Sequence, residues 1–260
     1  MNRLENIETV IRELQAMNGT AVPVPESLAD RQRLMRALMN IWQPQELSEA
    51  FLQAQNRELQ AQREDKGEWL MANGENDISV VQADITRLQV DAIVNAANSQ
   101  MLGCFQPLHA CIDNAIHSAA GLQLRQECNE IMQGHELPTG EAVITRGYNL
   151  RAKHVIHTVG PIYTFSRKSK VESQKQLLRW QLAACYRNCL NLAAAHGLTS
   201  IAFCCISTGV FGYPQDEAAE IAVRTVREWL LAHKEVEINV IFCTDKDEDY
   251  ATYQRLTTGV

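Results

Sequence analysis

Hydrophobic residues in the first 70 positions recur at the spacing of amphipathic helices. Similar apolar stripes run through residues 4–14, 28–41 and 47–59, and a spacing of three or four positions places side chains on one face of a helix. Pro and Gly signals at residues 19–25 and at Gln43-Pro44 suit short connections. We therefore predict a small all-helical extension over residues 1–70. A lid or flank packed on the rest of the chain is the simplest interpretation, and a partner-binding face is the alternative.

After Gly67 and a turn signal at Asn73-Gly74 the pattern changes to strands that alternate with helices. The predicted strands cover residues 78–83, 92–94, 142–146, 155–159, 201–205 and 236–243. The predicted helices cover residues 109–131, 172–196 and 215–233. Such alternation favours an α/β fold over residues 71–260, in which helices cover both faces of a mixed central sheet to give three layers, α/β/α. Ligands of such sheets lie outside the carboxyl ends of the strands.

Composition excludes several classes of protein. The 260 residues are 46% hydrophobic and 21% charged, as in an ordinary globular chain. A net charge of −7 argues against a nucleic-acid or anionic-membrane partner, so a polyanionic ligand would be held mainly by backbone dipoles. The charged start MNRLENIETV and the lack of a bilayer-length apolar run predict a cytoplasmic protein. Its eight cysteines would then be reduced; we assign four of them to the core: Cys185, Cys189, Cys204 and Cys205.

One short segment carries a possible metal site. Cys104, His109 and Cys111 form C-x4-H-x-C, in a stretch that Gly103 and Pro107 keep from being helical. Two thiolates and an imidazole suit zinc, and three protein ligands leave a fourth position for water or substrate. The alternative is a free cysteine pair beside a hydrogen-bonded histidine.

Polar residues follow the predicted strands, where a ligand is expected. Asp84 lies at the end of the first strand, where its carboxylate could accept a hydrogen bond from an exocyclic amine or simply cap a turn. Asn95 and Asn98 close the second and offer amides that donate and accept. A two-glycine loop over residues 206–214 precedes a helix, which would let backbone N–H groups approach a phosphate. Taken alone, such a loop is more often only a turn.

Six ordered motifs together resemble the macrodomain, the fold that recognises ADP-ribose, across about residues 75–255. They are VxADIT, DAIVNAANS, DNAIHxAAG, PTGEA, VIHTVGPIY and ISTGVFGYP. Macrodomain hydrolases usually carry a Gly-rich run after Asn-Ala-Ala-Asn, and residues 103–111 replace it here. This replacement resembles the zinc-containing branch, whose members have an N-terminal helical extension and remove mono-ADP-ribose from acidic side chains of proteins.

The resemblance implies a role for each matching residue. Asp84 and the Ile85 backbone would lie at the adenine, and Asn98 would hold the distal ribose. Asp113 would match the catalytic aspartate, with Asn98 beside it in the catalytic centre. One zinc per chain would be held by Cys104, His109 and Cys111. The diphosphate would be surrounded by Ser207, Thr208, Gly209, Val210, Phe211, Gly212 and Tyr213.

Three functions share this site. The first is a zinc-dependent hydrolase that acts on ADP-ribose esters of Asp and Glu in modified proteins. The second is a non-catalytic reader of ADP-ribose, and the third is a hydrolase of O-acyl-ADP-ribose metabolites. Asp113 together with an incomplete ligand set favours the enzyme, because a closed structural site would want a fourth Cys or His. Only Cys128 and His135 lie near enough downstream, and we interpret His117 as a helix-packing residue.

Overall fold

The computed structural model describes residues 2–67, 77–163 and 172–258. Its first part is a unit of three helices, here called the helical unit (residues 2–67). The helices are α1 (Arg3–Asn18), α2 (Leu28–Ile41) and α3 (Glu49–Asp65). The predicted helices and breaks are confirmed, whereas the turn signal at Asn73-Gly74 and the predicted boundary near residue 70 lie outside the described residues.

Side-chain caps begin each helix of this unit. Asn2, Ser27 and Ser48 each accept a hydrogen bond from a backbone N–H of the first turn. Such a bond satisfies a donor that has no partner inside the helix. The apolar stripes meet in a core of their own around Trp42 and Phe51, and Leu122 of the following domain completes this core.

A six-stranded mixed sheet forms the centre of the second part. The strands are β1 (Ile78–Gln82), β2 (Ala92–Ala96), β3 (Ala142–Arg146), β4 (His154–Thr158), β5 (Ser200–Phe203) and β6 (Asn239–Thr244). Their order is β1-β6-β5-β2-β4-β3, and only the β3–β4 pair is antiparallel. The predicted α/β fold with a mixed sheet is therefore confirmed.

Helices pack on this sheet and enclose its apolar strands. They are α4 (Ile112–Ala120), α5 (Leu122–Met132), α6 (Glu172–Ala195), α7 (Gln215–Ala232) and α8 (Asp247–Thr258), with a 3-10 turn at Ile85–Arg87. Aromatic residues of the core include Tyr186, Phe203 and Phe242, whose rings lie 5.0–6.4 Å apart. No helix in the described ranges is both long and apolar enough to cross a membrane.

Several predicted boundaries were wrong. The single helix over residues 109–131 is two helices, because Gly121 at φ 99° and ψ 173° breaks the chain between α4 and α5. The predicted strand 201–205 ends at Phe203, since Cys204 and Cys205 already lead into the following loop. Of the four cysteines assigned to the core, Cys205 is only half-buried. The last strand begins at Asn239 rather than at residue 236, and α8 was not predicted at all.

Candidate functional site

A cleft of about 1030 Å³ opens beside the carboxyl ends of β1, β2, β5 and β6. Parallel strands of an α/β sheet direct ligands to this edge. The helical unit supplies one wall of the cleft, through Arg36 and Lys66 among others. The sequence-predicted residues that line it are Asp84, Ile85, Asn98, Cys104, His109, Cys111, Asp113, Ser207, Thr208, Gly209, Val210 and Phe211.

The three candidate metal ligands converge on one wall of the cleft. They lie on the ligand loop, as we call residues 103–111. Cys104 Sγ lies 3.6 Å from His109 Nδ1, and the possible ligand atoms of Cys104, His109 and Cys111 all lie within 4.8 Å of one another. All three side chains are half-buried. Their softness and spacing fit zinc with a fourth position open to the cleft.

Cys111 has a second role as the cap of α4. Its Sγ accepts a hydrogen bond from the Asn114 N–H at 3.4 Å, where the positive end of the helix favours a thiolate. Burial nevertheless raises the pKa of Cys111 to about 11. A thiol that resists ionisation in the absence of a cation would be deprotonated by a bound metal ion.

No fourth ligand joins this group among the described residues. Cys128 belongs instead to a separate buried cluster with His117 and His157, and His135 is exposed. The loop thus offers three ligands in the described part of the chain. That number is typical of a catalytic rather than a structural zinc site.

Asp113 is nearly inaccessible and is held by both asparagines of the Asn-Ala-Ala-Asn motif. Asn95 Nδ2 donates to Asp113 Oδ1 at 2.8 Å, and Asn98 Nδ2 donates to Asp113 Oδ2 at 3.3 Å. Burial raises the pKa of Asp113 to about 6, against the lowering effects of the Asn95 hydrogen bond and of the Arg125 charge. A carboxylate with such a pKa is a competent proton acceptor near neutral pH.

Asn95 connects Asp113 to a histidine inside the sheet. The same Nδ2 that holds Asp113 lies 3.2 Å from His157 Nδ1. Since Nδ1 accepts there, the ring proton belongs on Nε2, which lies 3.0 Å from Thr145 Oγ1. Asn95 and His157 are both fully buried. Sequence reasoning named Asn95 as an amide at a strand end but missed its connection to His157. Both residues belong to quoted motifs, and only their pairing across β2 and β4 reveals the connection.

His117 packs as predicted and does not join the ligand loop. It is 4% exposed, its ring lies 5.8 Å from that of His157, and neither ring nitrogen has a hydrogen-bond partner in the described residues. Burial lowers the pKa of His117 well below its ordinary value. The approach of His117 Nε2 to Asp113 Oδ1 at 3.5 Å is therefore not an ion pair.

At the opposite end of the cleft, Asp84 is already engaged. Its Oδ1 accepts from Thr86 N–H at 2.9 Å and from Thr86 Oγ1 at 2.6 Å, while Oδ2 lies 2.8 Å from Lys66 Nζ. Burial opposes ionisation, but the bonds from Lys66 and Thr86 leave the pKa of Asp84 below its ordinary value. Asp84 therefore caps the 3-10 turn, as one alternative predicted. It also lines the cleft with Ile85, and its role toward an exocyclic amine stays a prediction.

The loop after β5, residues 207–213, is closed by its own backbone hydrogen bonds and is here called the β5–α7 loop. The Tyr213 N–H donates to the Ser207 carbonyl at 2.9 Å, and the Gly212 N–H donates to the Gly209 carbonyl at 3.0 Å. Ser207 and Gly212 adopt left-handed backbone, at φ 67° and φ 65°. A Cβ built on Gly209 would meet no heavy atom within 4 Å, so this backbone is open to a ligand.

Two of the predicted diphosphate residues support the loop from beneath. Gly212 makes the turn described above, and Tyr213 is 2% exposed with its ring 4.9 Å from that of Tyr163. The helix α7 begins directly after the loop without a side-chain cap. Gln215, the first residue of α7, lines the cleft, so the amino end of this helix lies beside the cleft with its N–H groups and positive dipole end.

Comparison with known proteins agrees with this geometry. A protein-family model described as Macro domain matches residues 94–222. A relative from Treponema medium, named protein-ADP-ribose hydrolase, is 46% identical over 98% of this chain and 97% of its own length. The chain belongs to the macrodomain family.

Solved macrodomains share the fold of this one. The Oceanobacillus iheyensis macrodomain with ADP is 39% identical, with a TM-score of 0.61 over 72% of this chain and 93% of that chain. The Trypanosoma brucei macrodomain in complex with ADP-ribose is 30% identical, with a TM-score of 0.63 over 90% of this chain and 97% of that chain. Both likenesses include sequence as well as fold.

Proposed function

We propose that this macrodomain is a zinc-dependent protein-ADP-ribose hydrolase that cleaves ADP-ribose esters of Asp and Glu side chains and releases ADP-ribose. The name of the Treponema medium relative supports the hydrolase activity, at 46% identity over almost the whole chain. The observation that carries the finer proposal is the convergence of Cys104, His109 and Cys111 on the cleft wall that also presents Asp113.

The ADP-ribosyl group would lie along the cleft between two fixed ends. The diphosphate would meet the open backbone at Gly209 and the amino end of α7. The adenine amine would donate to Asp84, whose Oδ2 is shared with Lys66. The distal ribose would then reach Asn98, which lies within hydrogen-bond distance of Asp113.

Hydrolysis of the ester needs a water that loses its proton as it attacks. Asp113 would accept that proton, because its buried carboxylate has a raised pKa and is oriented by Asn95 and Asn98. A zinc ion held by Cys104, His109 and Cys111 would supply Lewis acidity and an open coordination position. The leaving carboxylate is stable as an anion, so this chemistry needs no strong acid.

The type of bond that the protein cleaves distinguishes the proposed function from the alternatives. In an N-glycosidic linkage to Arg, the guanidine nitrogen is a poor leaving group unless a strong acid protonates it. Asp113 is the only carboxyl that we place at the reacting ribose. Purified protein should therefore release label from Asp- and Glu-linked mono-ADP-ribosylated proteins much faster than from Arg-linked ones. Faster release from Arg would contradict the mechanism. ADP-ribose binding without release from any linkage would make the protein a reader, and release only from O-acetyl-ADP-ribose would make it a metabolite hydrolase.

Metal content is a separate test. The wild type should carry about one zinc per chain by elemental analysis, because three ligands on one short loop bind cooperatively. Cys104→Ala and Cys111→Ala should lose the metal and remain folded, since the α/β core is large. Cys205→Ala is the matched control, because Cys205 lines the same cleft but is outside the three-ligand group. Full zinc occupancy in the double variant of Cys104 and Cys111 would refute the assignment.

A further inference from the structure

The helix α2 lies against the ligand loop and contacts it through two side chains. Arg36 and Asn40 are four residues apart, so both point from the same face of the helix. Arg36 also lines the cleft, whereas Asn40 is 1% exposed. Neither residue belongs to any of the motifs that indicated the macrodomain fold.

Asn40 fixes the backbone immediately before the candidate ligand His109. Its Oδ1 accepts from the Leu108 N–H at 2.9 Å, and its Nδ2 donates to Ser118 Oγ at 3.1 Å. Leu108 adopts φ 58°, a left-handed conformation that a leucine rarely takes. An unfavourable conformation persists only where its surroundings stabilise it, and here the hydrogen bond from the Leu108 N–H to Asn40 Oδ1 contributes to that stabilisation.

Arg36 acts on the other end of the loop through Asn114. Its Nε and Nη2 donate to Asn114 Oδ1 at 3.2 and 2.8 Å, and Nη2 lies 3.5 Å from the His109 carbonyl. Asn114 is fully buried; its N–H donates to Cys111 Sγ and its Nδ2 donates to the Gln106 carbonyl at 3.1 Å. Arg36 thereby orients the residue that contacts a candidate ligand sulfur.

The contact between α2 and the loop is also secured from the macrodomain. Arg125 Nη1 donates to the carbonyls of Met39, Asn40 and Trp42 at the carboxyl end of α2. Its guanidinium carbon lies 4.4 Å from the centre of the Phe105 ring in the ligand loop. Arg125 is 2% exposed. The same buried cation therefore joins the end of α2 to the loop.

We propose that α2 is a built-in part of the metal site, in which Arg36 and Asn40 are positioning residues that hold the ligand loop in its metal-binding shape. This proposal rests on the zinc-dependent function proposed above. It gives the helical unit a specific role beyond covering the cleft. Without α2, the three ligand side chains would remain on the loop but would sample many arrangements.

Zinc retention provides the first test. Residues that orient metal ligands typically contribute 10- to 100-fold in metal affinity. Zinc-loaded Arg36→Ala and Asn40→Ala should therefore release the metal to a chromogenic chelator at least about tenfold faster than the wild type. Arg36→Lys keeps the charge but cannot contact Asn114 Oδ1 with two nitrogens, and it should also release faster. The matched control is Arg33→Ala, an exposed arginine one turn earlier on the same helix.

Hydrogen–deuterium exchange of the zinc-free protein provides the second test and does not depend on the metal. The peptide that covers residues 103–111 should exchange faster in Arg36→Ala and Arg36→Lys than in Arg33→Ala, while peptides of β2 and β6 keep their protection. Unchanged exchange of this peptide in both Arg36 variants would overturn the proposal, whatever the wild-type metal content. A wild type that holds no zinc would instead refute the proposed zinc dependence, and the exchange result would still decide the role of α2.

Discussion

The amide of Asn95 donates to Asp113 and to His157 from a single nitrogen, at 2.8 and 3.2 Å. This arrangement ties the carboxylate on the cleft wall to the interior of the sheet. Asn95 ends up fully buried between two ionisable groups, and its own Oδ1 has no partner among the described residues. Asn95 therefore acts mainly as a hydrogen-bond donor, and the orientation of Asp113 depends on its hydrogen bond from Asn95.

Loss of either member of the Asn95–Asp113 pair should reduce turnover more than binding. We expect Asp113→Ala to lower kcat on an ester-linked substrate by about 10²-fold or more, the scale of a lost catalytic group. Asn95→Ala should lower kcat less, since the carboxylate remains but loses a donor. The affinity for free ADP-ribose should change far less in both, because interactions made chiefly in the transition state do not contribute to ground-state binding. Calorimetry beside a release assay measures both quantities.

The control for this pair is Glu228→Gln, which alters an exposed carboxylate near the carboxyl end of α7. It should keep wild-type binding and turnover. Equal losses of binding and turnover in Asp113→Ala would show that Asp113 only scaffolds the pocket.

Asp84 should show the reverse behaviour. Asp84→Ala removes the proposed acceptor for the adenine amine, and we expect ADP-ribose binding to weaken by about 1–3 kcal/mol, the usual cost of leaving a buried hydrogen-bonding group without its partner. Lys66→Ala leaves the acceptor in place and should change the affinity less. Titration calorimetry with ADP-ribose compares the two with Glu220→Ala, an exposed carboxylate on α7. Wild-type affinity in Asp84→Ala would show that Asp84 does not bind the adenine.

Gly160 packs closely against the start of the β5–α7 loop. A Cβ built on Gly160 would lie 2.1 Å from Ser207 Oγ and 2.8 Å from Ile206 Cγ2, so the side chains of Ser207 and Ile206 must shift in Gly160→Ala. We expect the free energy of unfolding to fall by about 1–3 kcal/mol, as for other overpacked sites, together with weaker ADP-ribose binding. Gly209→Ala, whose Cβ would meet no atom within 4 Å, should keep its stability in the same urea titration. Full stability and affinity in Gly160→Ala would contradict the close contact.

The two buried histidines should make the fold sensitive to acid. Burial lowers the pKa of His157 to about 3 from its ordinary 6.5 and lowers that of His117 as well. Between about pH 6.5 and about pH 3 the unfolded chain therefore binds protons that the folded chain does not. The sign follows directly: the free energy of unfolding falls as the pH falls through this window.

Urea unfolding at pH 7.5 and pH 5.0 tests this prediction. His157→Gln should be less stable than the wild type at pH 7.5, yet should lose less stability between the two pH values, because one of the buried groups is gone. His135→Gln replaces an exposed histidine and should follow the wild-type curve. If the free energy of unfolding of His157→Gln fell between pH 7.5 and pH 5.0 by as much as that of the wild type, other groups would cause the acid sensitivity.

Local patterns predicted the elements of this fold well, and non-local contacts explain what they missed. The spacing of apolar residues located α2 and β2, and C-x4-H-x-C placed three candidate ligands on one loop. The Arg36–Asn114 contact joins positions 78 residues apart, and no periodicity carries that information. The break at Gly121 was also missed, because a glycine inside an apolar pattern is compatible with a continuous helix.

The hydrogen bonds from Arg125 to the end of α2 also bear on the order of events during protein synthesis. The helical unit leaves the ribosome first, but the residue that satisfies the carbonyls at the end of its second helix follows more than 80 positions later. Leu122, which completes the core of that unit, lies beside it in sequence. The nascent helices therefore cannot reach their final stability before α5 has emerged, although amino-terminal domains generally fold first. The first 67 residues therefore reach full stability only after about half of the chain has been made.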